Sequence, residues 1–557
     1  MDSNCNSYVT GKTYWHFDGQ TNYAIYNIFL TKYNRFGEKQ WSRIWGPTNA
    51  ARSEAAVGYD VSIDSASNCY VTGETYGQFD GQGEANSYNI FLTKYNSSGT
   101  KLWTKIWGST NGYDTGRSVS IGADGYCYVA GYTDGEFDGQ TNNGDAHIFL
   151  TKLSLSGTRI WTRICVTTEV EYAYAVSASV GVIYITGYTM NKFDQTSRDF
   201  FLTKFSDTGI EQWKQIWGSD TYDYGEGVAV DSAGNCYVAG HTFGEFDGQT
   251  NSKMNSYDIC LSKFNSSGSK LWTRIWGNGN PINGLGQDYG KDVSVDSFGN
   301  AYVVGYTDGS FDGQTNSGSW DIFLTKYNSS GFKKWSEIWG AGSADMGGAV
   351  AVSSSGSVCY VTGYTDAWII DGQTNTNGES IFLTKFVASI PPSDTFNSAN
   401  TLPNDAGITE GNNSGATTES GEPEHAGNGG PYHSVWWDWS EPTSTMSIES
   451  AAGDTFIIDT HGSDFDTVLA VYTGLAVSDL TIVATNDNSG TGIETSEVSF
   501  QFDSGQTYHI AVDGKTGVDT GNVVLNYEVI PEPSFCLSFV IYYFLFINRK
   551  FNRRMTG

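Results

Sequence analysis

The sequence predicts an all-β fold in which one four-stranded unit recurs seven times. Four short sequence words repeat along the chain: Tyr-Val-Thr-Gly, Phe-Asp-Gly-Gln, Ile-Phe-Leu-Thr-Lys and Trp-x-x-x-Trp-Gly. The lysine that closes the third word recurs at Lys32, Lys94, Lys152, Lys204, Lys263, Lys326 and Lys385. The chain has 67 Gly and 10 Pro residues, which suits tight β-turns. A period this regular is typical of repeat architectures.

Each repeat has room for four short strands, as the fifth copy illustrates. Its first two apolar runs cover 227–231 and 236–240, and a long polar stretch separates them from the runs 258–264 and 270–276. Runs rich in Val, Ile, Tyr, Phe and Trp that are bounded by turn residues indicate strands. Four antiparallel strands repeated around an axis form a propeller blade. The sequence therefore predicts a seven-bladed β-propeller over residues 1–387.

The four words resemble the repeat of the bacterial seven-bladed β-propeller (SBBP) family, and the resemblance covers residues 1–387. The first strands are rich in small Val side chains, so we expect them to line the crowded axis. No first-strand word precedes Tyr8 and no Trp word follows Lys385. We therefore expect three strands in both the first and the seventh blade. The missing first strand and the lack of a visible secretory signal predict a natural start upstream of Met1.

The acidic composition restricts the partners of this protein. The formal net charge is −30 and the isoelectric point is about 4.4. Nucleic acid is excluded as a partner on this basis, because phosphate binding requires clustered Lys and Arg. An acidic surface fits a soluble exported protein or one that binds cations.

The eight cysteines predict no disulfide framework. Cys69, Cys127, Cys236 and Cys359 all precede the Tyr of the second-strand word, so they occupy one equivalent site in four blades. Equivalent sites in different blades lie beyond the roughly 7 Å Cα separation that a disulfide can span. We interpret these thiols as small core residues.

A second domain follows the repeats. Residues 388–393 form a predicted linker, and the repeat words are absent from residues 394–530. Alternating runs such as 455–459 and 508–513 predict sandwich strands. The word at 421–426, Gly-Glu-Pro-Glu-His-Ala, resembles a jelly-roll-like module of bacterial surface proteins that is akin to pre-peptidase C-terminal domains. The resemblance implies an accessory β-sandwich domain.

The tail, residues 531–557, has a third composition. Pro531, Glu532 and Pro533 precede an apolar run at 535–547, and a basic cluster follows it. That cluster consists of Arg549, Lys550, Arg553 and Arg554. This order resembles the PEP-CTERM sorting signal, which implies that an exosortase-like enzyme recognises the Pro-Glu-Pro end and removes the tail. The alternative is a buried C-terminal strand.

The tail also predicts the location of the protein. Its apolar run of 13 residues would span about 20 Å as a helix, which is short of the roughly 30 Å bilayer core. Membrane contact is therefore expected only through this segment and only before processing. The basic cluster would stay cytoplasmic, which places the rest of the chain at the cell surface or in the extracellular space.

The Phe-Asp-Gly-Gln loops are candidate calcium sites. The connections from strand two to three and from blade to blade are long and polar, and both fall on one face, where binding loops are expected. In the third copy Asp134, Glu136, Asp138, Asn142 and Asp145 occupy the ligand positions of an EF-hand-type calcium loop. The other interpretation, which we favour, is a turn in which the Asp bonds backbone N–H groups and the Gly takes a positive φ.

Paired tryptophans recur in the fourth-strand word. Trp103 and Trp107, like Trp272 and Trp276, are four residues apart and so lie on one face of a strand. They either form a platform for stacking sugars or fill the space between neighbouring blades, and we favour the second interpretation.

Two functions agree with these features. The leading interpretation is a non-enzymatic exported bacterial cell-surface or extracellular-matrix protein. Its propeller would be a scaffold for binding exopolysaccharide, surface glycans or proteins, and an exosortase-like enzyme would process its tail. The alternative is an extracellular polysaccharide-acting enzyme with its site at the central channel mouth on the long-loop face. No catalytic set and no cofactor other than Ca²⁺ is predicted.

Overall fold

The computed structural model describes most of residues 1–387 and 394–530. Outside the described set are positions 3, 15, 22–23, 36, 48–54, 83–87, 110–111, 137, 194–195, 253–254, 279–285, 355, 357, 368, 371–372, 375–379, 403–405, 428, 441–454, 489–494 and 504. The predicted linker, 388–393, and the predicted sorting tail, 531–557, also lie outside it. The chain divides into two compact units, Met1–Phe386 and Val387–Gly557. In the described part, no helix is long and apolar enough to cross a bilayer.

The first blade has three paired strands. The chain passes through β1 (Ser7–Thr13), a small hairpin of β2 (His16–Phe17) and β3 (Gln20–Thr21), then β4 (Asn27–Tyr33) and β5 (Lys39–Trp45). Strands β1, β4 and β5 form an antiparallel sheet, with Val9 opposite Thr31.

Blades two to six are four-stranded antiparallel sheets whose strands pair in chain order. Blade two comprises β6 (Ala55–Ile63), β7 (Cys69–Tyr76), β8 (Tyr88–Tyr95) and β9 (Lys101–Trp107). Blade three comprises β10 (Asp114–Ile121), β11 (Tyr126–Thr133), β12 (His147–Ser154) and β13 (Arg159–Ile164). Blade four comprises β14 (Val170–Ser179), β15 (Val182–Met190), β16 (Asp199–Ser206) and β17 (Glu211–Trp217).

The remaining blades follow the same plan. Blade five comprises β18 (Asp223–Val230), β19 (Cys236–Thr242), β20 (Asp258–Phe264) and β21 (Lys270–Trp276). Blade six comprises β22 (Asp288–Val295), β23 (Ala301–Thr307), β24 (Asp321–Tyr327) and β25 (Lys333–Trp339). The seventh repeat contains β26 (Asp345–Val352), β27 (Val358–Thr365), the hairpin β28 (Ile369–Ile370) and β29 (Gln373–Thr374), and β30 (Ser380–Val387). Its sheet is β26-β27-β30, so the three-stranded first and seventh blades are confirmed among the described residues.

The first strands of neighbouring blades stand side by side at the centre. The amide of Val119 donates to Asp60 Oδ2 at 2.8 Å, and the amide of Val176 donates to Ser118 Oγ at 3.1 Å. The amide of Val350 likewise donates to Asp292 Oδ2 at 2.9 Å. The predicted lining of the axis by Val-rich first strands is therefore confirmed.

Among the described residues, the lysine of the third word links six of the seven blades to the following blade. Its ammonium donates to a carbonyl in the turn before the fourth strand of the following blade, as Lys94 does to Leu155 O at 3.1 Å and Lys263 does to Ser329 O at 3.0 Å. Lys385 of the seventh blade donates to Arg35 O of the first blade at 2.9 Å. The last contact closes the ring of seven.

The glycine that ends the Trp word lies against acidic side chains at the blade interfaces. A Cβ on Gly277 would collide with carboxylate oxygens of Asp258 and Asp288. Asp258 begins the third strand of blade five and Asp288 begins the first strand of blade six, and both are fully buried. Only glycine leaves room for this pair, so the word requires Gly there.

The second unit is a β-sandwich. It begins with a 3-10 turn at Phe396–Ser398 and continues through β31 (Asn400–Thr401), β32 (Ala406–Asn412), β33 (Val435–Ser440), β34 (Thr455–Asp459) and β35 (Thr467–Thr473). After a second 3-10 turn at Val477–Asp479 come β36 (Thr481–Asn486), β37 (Glu497–Gln501), β38 (Thr507–Gly514) and β39 (Asn522–Ile530). The two sheets are β31-β33-β38-β35-β36 and β32-β39-β34-β37.

The sandwich core lies between the two sheets and includes Trp437, Trp439, Phe456 and Ile510. The Gly-Glu-Pro-Glu-His-Ala word covers the other face of the five-stranded sheet. There the fully buried His425 contacts the Tyr472 hydroxyl at 2.6 Å through Nδ1, and Ser434 Oγ at 3.1 Å and Glu422 Oε1 at 3.2 Å through Nε2. These polar groups satisfy one another, which gives the word a structural role.

Candidate functional site

A bulge in the first strand turns one side chain out of the ladder in blades two to six. The pairing with the second strand skips Tyr59, Arg117, Tyr174, Glu226 and Lys291 in the five blades. A β-bulge redirects a side chain and is common beside functional sites. Because the first strands surround the axis, these bulges place tyrosine, arginine, glutamate and lysine at its mouth.

An unbroken series of aromatic rings surrounds that mouth across blades two to six. We call it the aromatic arc. It runs through Tyr76, Tyr88, Tyr113, Tyr132, Tyr172, Tyr188, Tyr224, His241, Tyr289, Tyr306 and Trp320, with successive ring centroids 4.4–6.1 Å apart. All except Tyr188 and His241 are half-buried, so these rings keep part of their surface accessible.

Strand register explains why these rings meet. Tyr224 at the start of a first strand is opposite His241 at the end of the second strand, and Tyr289 is opposite Tyr306 in the next blade. These strand ends lead into the long connections. The arc therefore lies on the long-loop face that the sequence indicated as the binding face.

Charged groups interrupt the aromatic surface. Lys291 Nζ lies 2.6 Å from Glu226 Oε1, and the buried His241 ring lies 3.9 Å from the same carboxylate oxygen. Burial and the charge of Lys291 hold the pKa of His241 well below its usual range. His241 is therefore neutral at physiological pH, and the Glu226 carboxylate has Lys291 as its charged partner.

The predicted calcium ligands of the third blade point to separate partners. Asp138 forms an ion pair with Arg159 at 2.7 Å, Asp145 pairs with Lys192, and Asp134 accepts the amide of Tyr113 at 2.5 Å. Asn142 Nδ2 donates to Thr133 O at 3.0 Å, and Glu136 is exposed. Within the described ranges, no three His, Cys, Asp or Glu side chains are grouped to hold a metal ion.

The Phe-Asp-Gly-Gln word instead builds a turn that covers the blade edge. Asp138 and Gly139 take φ values of 57° and 71°, which suit a tight Asp-Gly hairpin turn. Gln140 donates to Thr162 O at 2.8 Å and accepts the amide of Ile164 at 3.0 Å. The glutamine thus satisfies backbone groups on the open edge of the outer strand. The Asp bonds a basic side chain of that strand rather than the backbone N–H groups that we expected.

Calcium binding by this loop stays a prediction. Recruiting Asp138 to an ion would break its pair with Arg159, so we expect weak binding, with a Kd of order 10⁻⁴–10⁻³ M. The melting temperature should rise only at millimolar calcium, and this rise should be lost in Asp138→Ala. Asp312→Ala, at the equivalent site of blade six, is the matched control. An unchanged melting curve at about 10 mM calcium would leave the loop as a turn alone.

The tryptophan pairs fill the blade interfaces, as we favoured. Trp276 is 8% exposed and its ring lies 4.9 Å from that of Tyr327 in the next blade. Trp272 is half-buried and donates its indole N–H to Ser329 O of that blade at 3.4 Å. Neither Trp belongs to the aromatic arc.

The thiols are core groups, as predicted. The seven described cysteines are all free, and five of them are buried. Burial raises the pKa of Cys69 to about 12, so this thiol is protonated and unreactive at neutral pH.

Other predicted functional residues lie outside the described residues. These are Pro531, Glu532, Pro533, Arg549, Lys550, Arg553 and Arg554 of the sorting tail, together with Asp194 and Asp371 of the Phe-Asp-Gly-Gln series. The aromatic arc, by contrast, was missed by sequence reasoning. Its signal was an aromatic or His residue directly after the Gly of the second-strand word, at Tyr132, Tyr188, His241 and Tyr306.

Comparison with known proteins supports the repeat assignment. The family model described as a beta-propeller repeat (SBBP) matches residues 212–247 and 271–312. The uncharacterized WD repeat-containing protein L264 of Acanthamoeba polyphaga mimivirus is 23% identical over 367 residues, which cover 50% of this chain and 26% of that protein. The chain thus spans about a quarter of the length of this curated relative.

Similar solved structures include a polysaccharide lyase and two domains of propeller type. Polysaccharide lyase Uly1 is 11% identical with a TM-score of 0.39 and coverage of 69% of this chain and 90% of that chain. The β-propeller domain of the Trilobed protease from Pyrococcus furiosus is 9% identical with a TM-score of 0.36 and coverage of 70% and 92%. The WD40 domain of Neurospora crassa Pan2 is 12% identical with a TM-score of 0.35 and coverage of 65% and 93%. These likenesses concern the fold alone, and the family match identifies β-propeller repeats of the SBBP type in this chain.

Proposed function

We propose that this protein is a non-enzymatic, exported cell-surface or matrix protein whose propeller binds a glycan at the aromatic arc. The observation that carries the proposal is the arc itself. Aromatic rings with hydroxyl groups at their edges offer both an apolar face and a polar tip. That combination complements a pyranose, which has C–H groups on its faces and hydroxyl groups around its rim.

The arrangement of the arc fits a scaffold. Its rings come from strand ends of five blades, and the lysine contacts and tryptophan packing between blades hold those strands in place. Binding groups on a rigid scaffold lose little freedom when a ligand binds. A ring of blades therefore presents a preformed surface rather than one that folds around its ligand.

A glycan array with the full chain tests this proposal. Tyr306 is a half-buried ring of the arc that contacts the rings of Tyr289 and Trp320. We expect Tyr306→Ala to bind the glycan at least tenfold more weakly, which is a loss of about 1.4 kcal/mol in binding free energy. Phe332→Ala is the matched control, because Phe332 is exposed in a tight turn at the opposite face. Equal binding by both variants and the parent chain would contradict the proposal.

The second candidate function is polysaccharide hydrolysis at the same mouth. It is favoured by the convergence of Glu226, His241 and Lys291, because a carboxyl group beside other titratable groups is a common acid–base arrangement. Release of reducing ends from a bound glycan by the parent chain, and its loss in Glu226→Gln, would support hydrolysis. Binding without any product release supports the scaffold.

The tail supports export in this proposal through its Pro-Glu-Pro end, apolar run and basic cluster. We expect an exosortase-like enzyme to cleave at or just after Pro533, so that mature surface protein lacks Arg553 and Arg554. Intact-mass measurement of protein from the native host tests the expectation. The matched control is a Glu532→Ala chain, which should retain its tail. Recovery of Arg553 and Arg554 in the surface form of the parent chain would refute cleavage.

A further inference from the structure

Two arginines of the aromatic mouth are held by tyrosine faces. The guanidinium carbon of Arg117 lies 4.2 Å from the ring centroid of Tyr59 and 4.8 Å from that of Tyr174. That of Arg198 lies 5.2 Å from the centroid of Tyr224 and 5.4 Å from that of Tyr188. A cation over a ring face is attracted by the electrons of the ring, and this contact leaves the N–H donors in the guanidinium plane unused.

Neither arginine has a carboxylate at ion-pair distance among the described residues. The Glu226 carboxylate acts on the half-buried Arg117 only electrostatically, and the Nε of Arg198 is buried without a hydrogen-bond partner in the described chain. Leaving a buried donor unpaired costs about 1–3 kcal/mol, and more for a charged group. Such donors are therefore best satisfied by a ligand or by water at the mouth.

Neighbouring carboxylates already have partners. Glu226 pairs with Lys291 at 2.6 Å. Glu74 accepts the hydroxyl groups of Tyr59 and Tyr113, each at 2.9 Å. The partners of Glu74 are neutral hydroxyl groups, so no cation in the described part of the chain offsets its carboxylate. Arg117 and Arg198 stand beside aromatic faces and have no carboxylate at ion-pair distance among the described residues.

We infer that the aromatic arc selects an acidic saccharide and that Arg117 binds its anionic group. A carboxylate or sulfate would accept paired N–H bonds from the flat guanidinium, while the tyrosine faces pack against the sugar ring. The inference rests on the proposed glycan-binding function and specifies its ligand class. A peptide carboxylate offers the same charge but lacks the hydroxyl-rich rings that match the tyrosine edges.

The net charge of −30 does not oppose this binding at close range. At physiological ionic strength the screening length is about 8 Å. Carboxylates on the outer strands of the blades therefore act weakly at the axis. A contact ion pair at Arg117 is screened far less. Binding should weaken as salt rises, because an ion pair contributes to it.

Calorimetric titration of the full chain with three oligosaccharides tests the inference. Oligogalacturonate carries carboxylates, its methyl ester is the neutral match, and a chondroitin sulfate oligosaccharide carries sulfates as well as carboxylates. We expect at least tenfold tighter binding of one or both anionic sugars than of the ester. Arg117→Gln should remove this preference, while Arg159→Gln, which removes the same charge at the blade rim, should change affinity less than twofold. Arg117→Lys keeps the charge and should bind weakly because the paired geometry is lost.

The outcomes separate this inference from the proposed function. If all three sugars bind equally and Tyr306→Ala weakens them all, the arc binds glycans without acidic selectivity and the inference is wrong. If an acidic peptide binds through Arg117 and the sugars do not, both the inference and the glycan function are wrong. If Arg117→Gln does not fold, Arg117→Lys decides, and unchanged selectivity in that variant overturns the role of Arg117.

Discussion

Asp288→Asn is expected to stabilise the propeller by several kcal/mol at pH 8 and by only about 1–2 kcal/mol at pH 5. Asp288 is fully buried beside Asp258, and the side chain accepts the amide of Asn278 at 2.7 Å. Burial raises the pKa of Asp288 to about 8, and the charges of Asp258 and Asp308 add to this rise. Asparagine keeps an acceptor oxygen without the charge that burial opposes.

The direction of the pH effect follows from proton binding. An unfolded Asp releases its proton near pH 4, whereas folded Asp288 holds it up to about pH 8. Between these values the folded state binds more protons, so the stability contributed by this group is present at low pH and is lost as the pH rises. At about 1.4 kcal/mol per pKa unit, the loss from pH 5 to pH 8 is on the order of 4 kcal/mol.

Urea denaturation at pH 5 and pH 8 measures this effect. The matched control is Asp312→Asn in the same blade, because Asp312 is at the surface and pairs with Lys333 at 2.6 Å. An exposed pair contributes about 0–1 kcal/mol, so this control should not reduce the pH dependence. A parent chain and an Asp288→Asn variant with equal pH slopes would show that Asp288 ionises normally in the folded state.

Trp276→Ala should destabilise the propeller by about 3–5 kcal/mol, the range for removing a large aromatic side chain from a core. The indole fills the interface between blades five and six and packs on Tyr327. The substitution leaves a cavity between two rigid sheets that cannot close fully. Urea denaturation at constant pH measures the loss.

Trp272→Ala is the internal comparison for that prediction. Trp272 is half-buried, donates one indole hydrogen bond to Ser329 O of the next blade, and lays its ring against Gly331 of that blade. We expect a loss of about 1 kcal/mol, as for a typical hydrogen bond with modest burial. Equal losses from both substitutions would mean that the two tryptophans bury similar surface in solution and that the assigned packing is wrong.

Much of the fold could be predicted because its determinants are local. Turn residues and runs of β-branched and aromatic residues fix strands within a few positions, and the repeated words fix the number of blades. The role of Gln140 was harder to predict, because its partners are the backbone groups of Thr162 and Ile164 in another strand. The partner of Asp138 likewise lies 21 residues away at Arg159, which depends on strand register rather than on the loop sequence.

The sequence by itself determined an all-β chain, seven repeats, incomplete first and last blades and the face that carries the long connections. Tertiary structure alone decided the aromatic arc and the charges within it. Arg117 lies in a segment whose sequence predicts a regular strand. Only the β-bulge turns its side chain away from the pairing with the second strand. Its partners Tyr59 and Tyr174 belong to the two neighbouring blades. Such contacts arise because ring closure brings together first strands that lie almost 60 residues apart in the chain. Local sequence preferences do not specify which side chains meet over that separation.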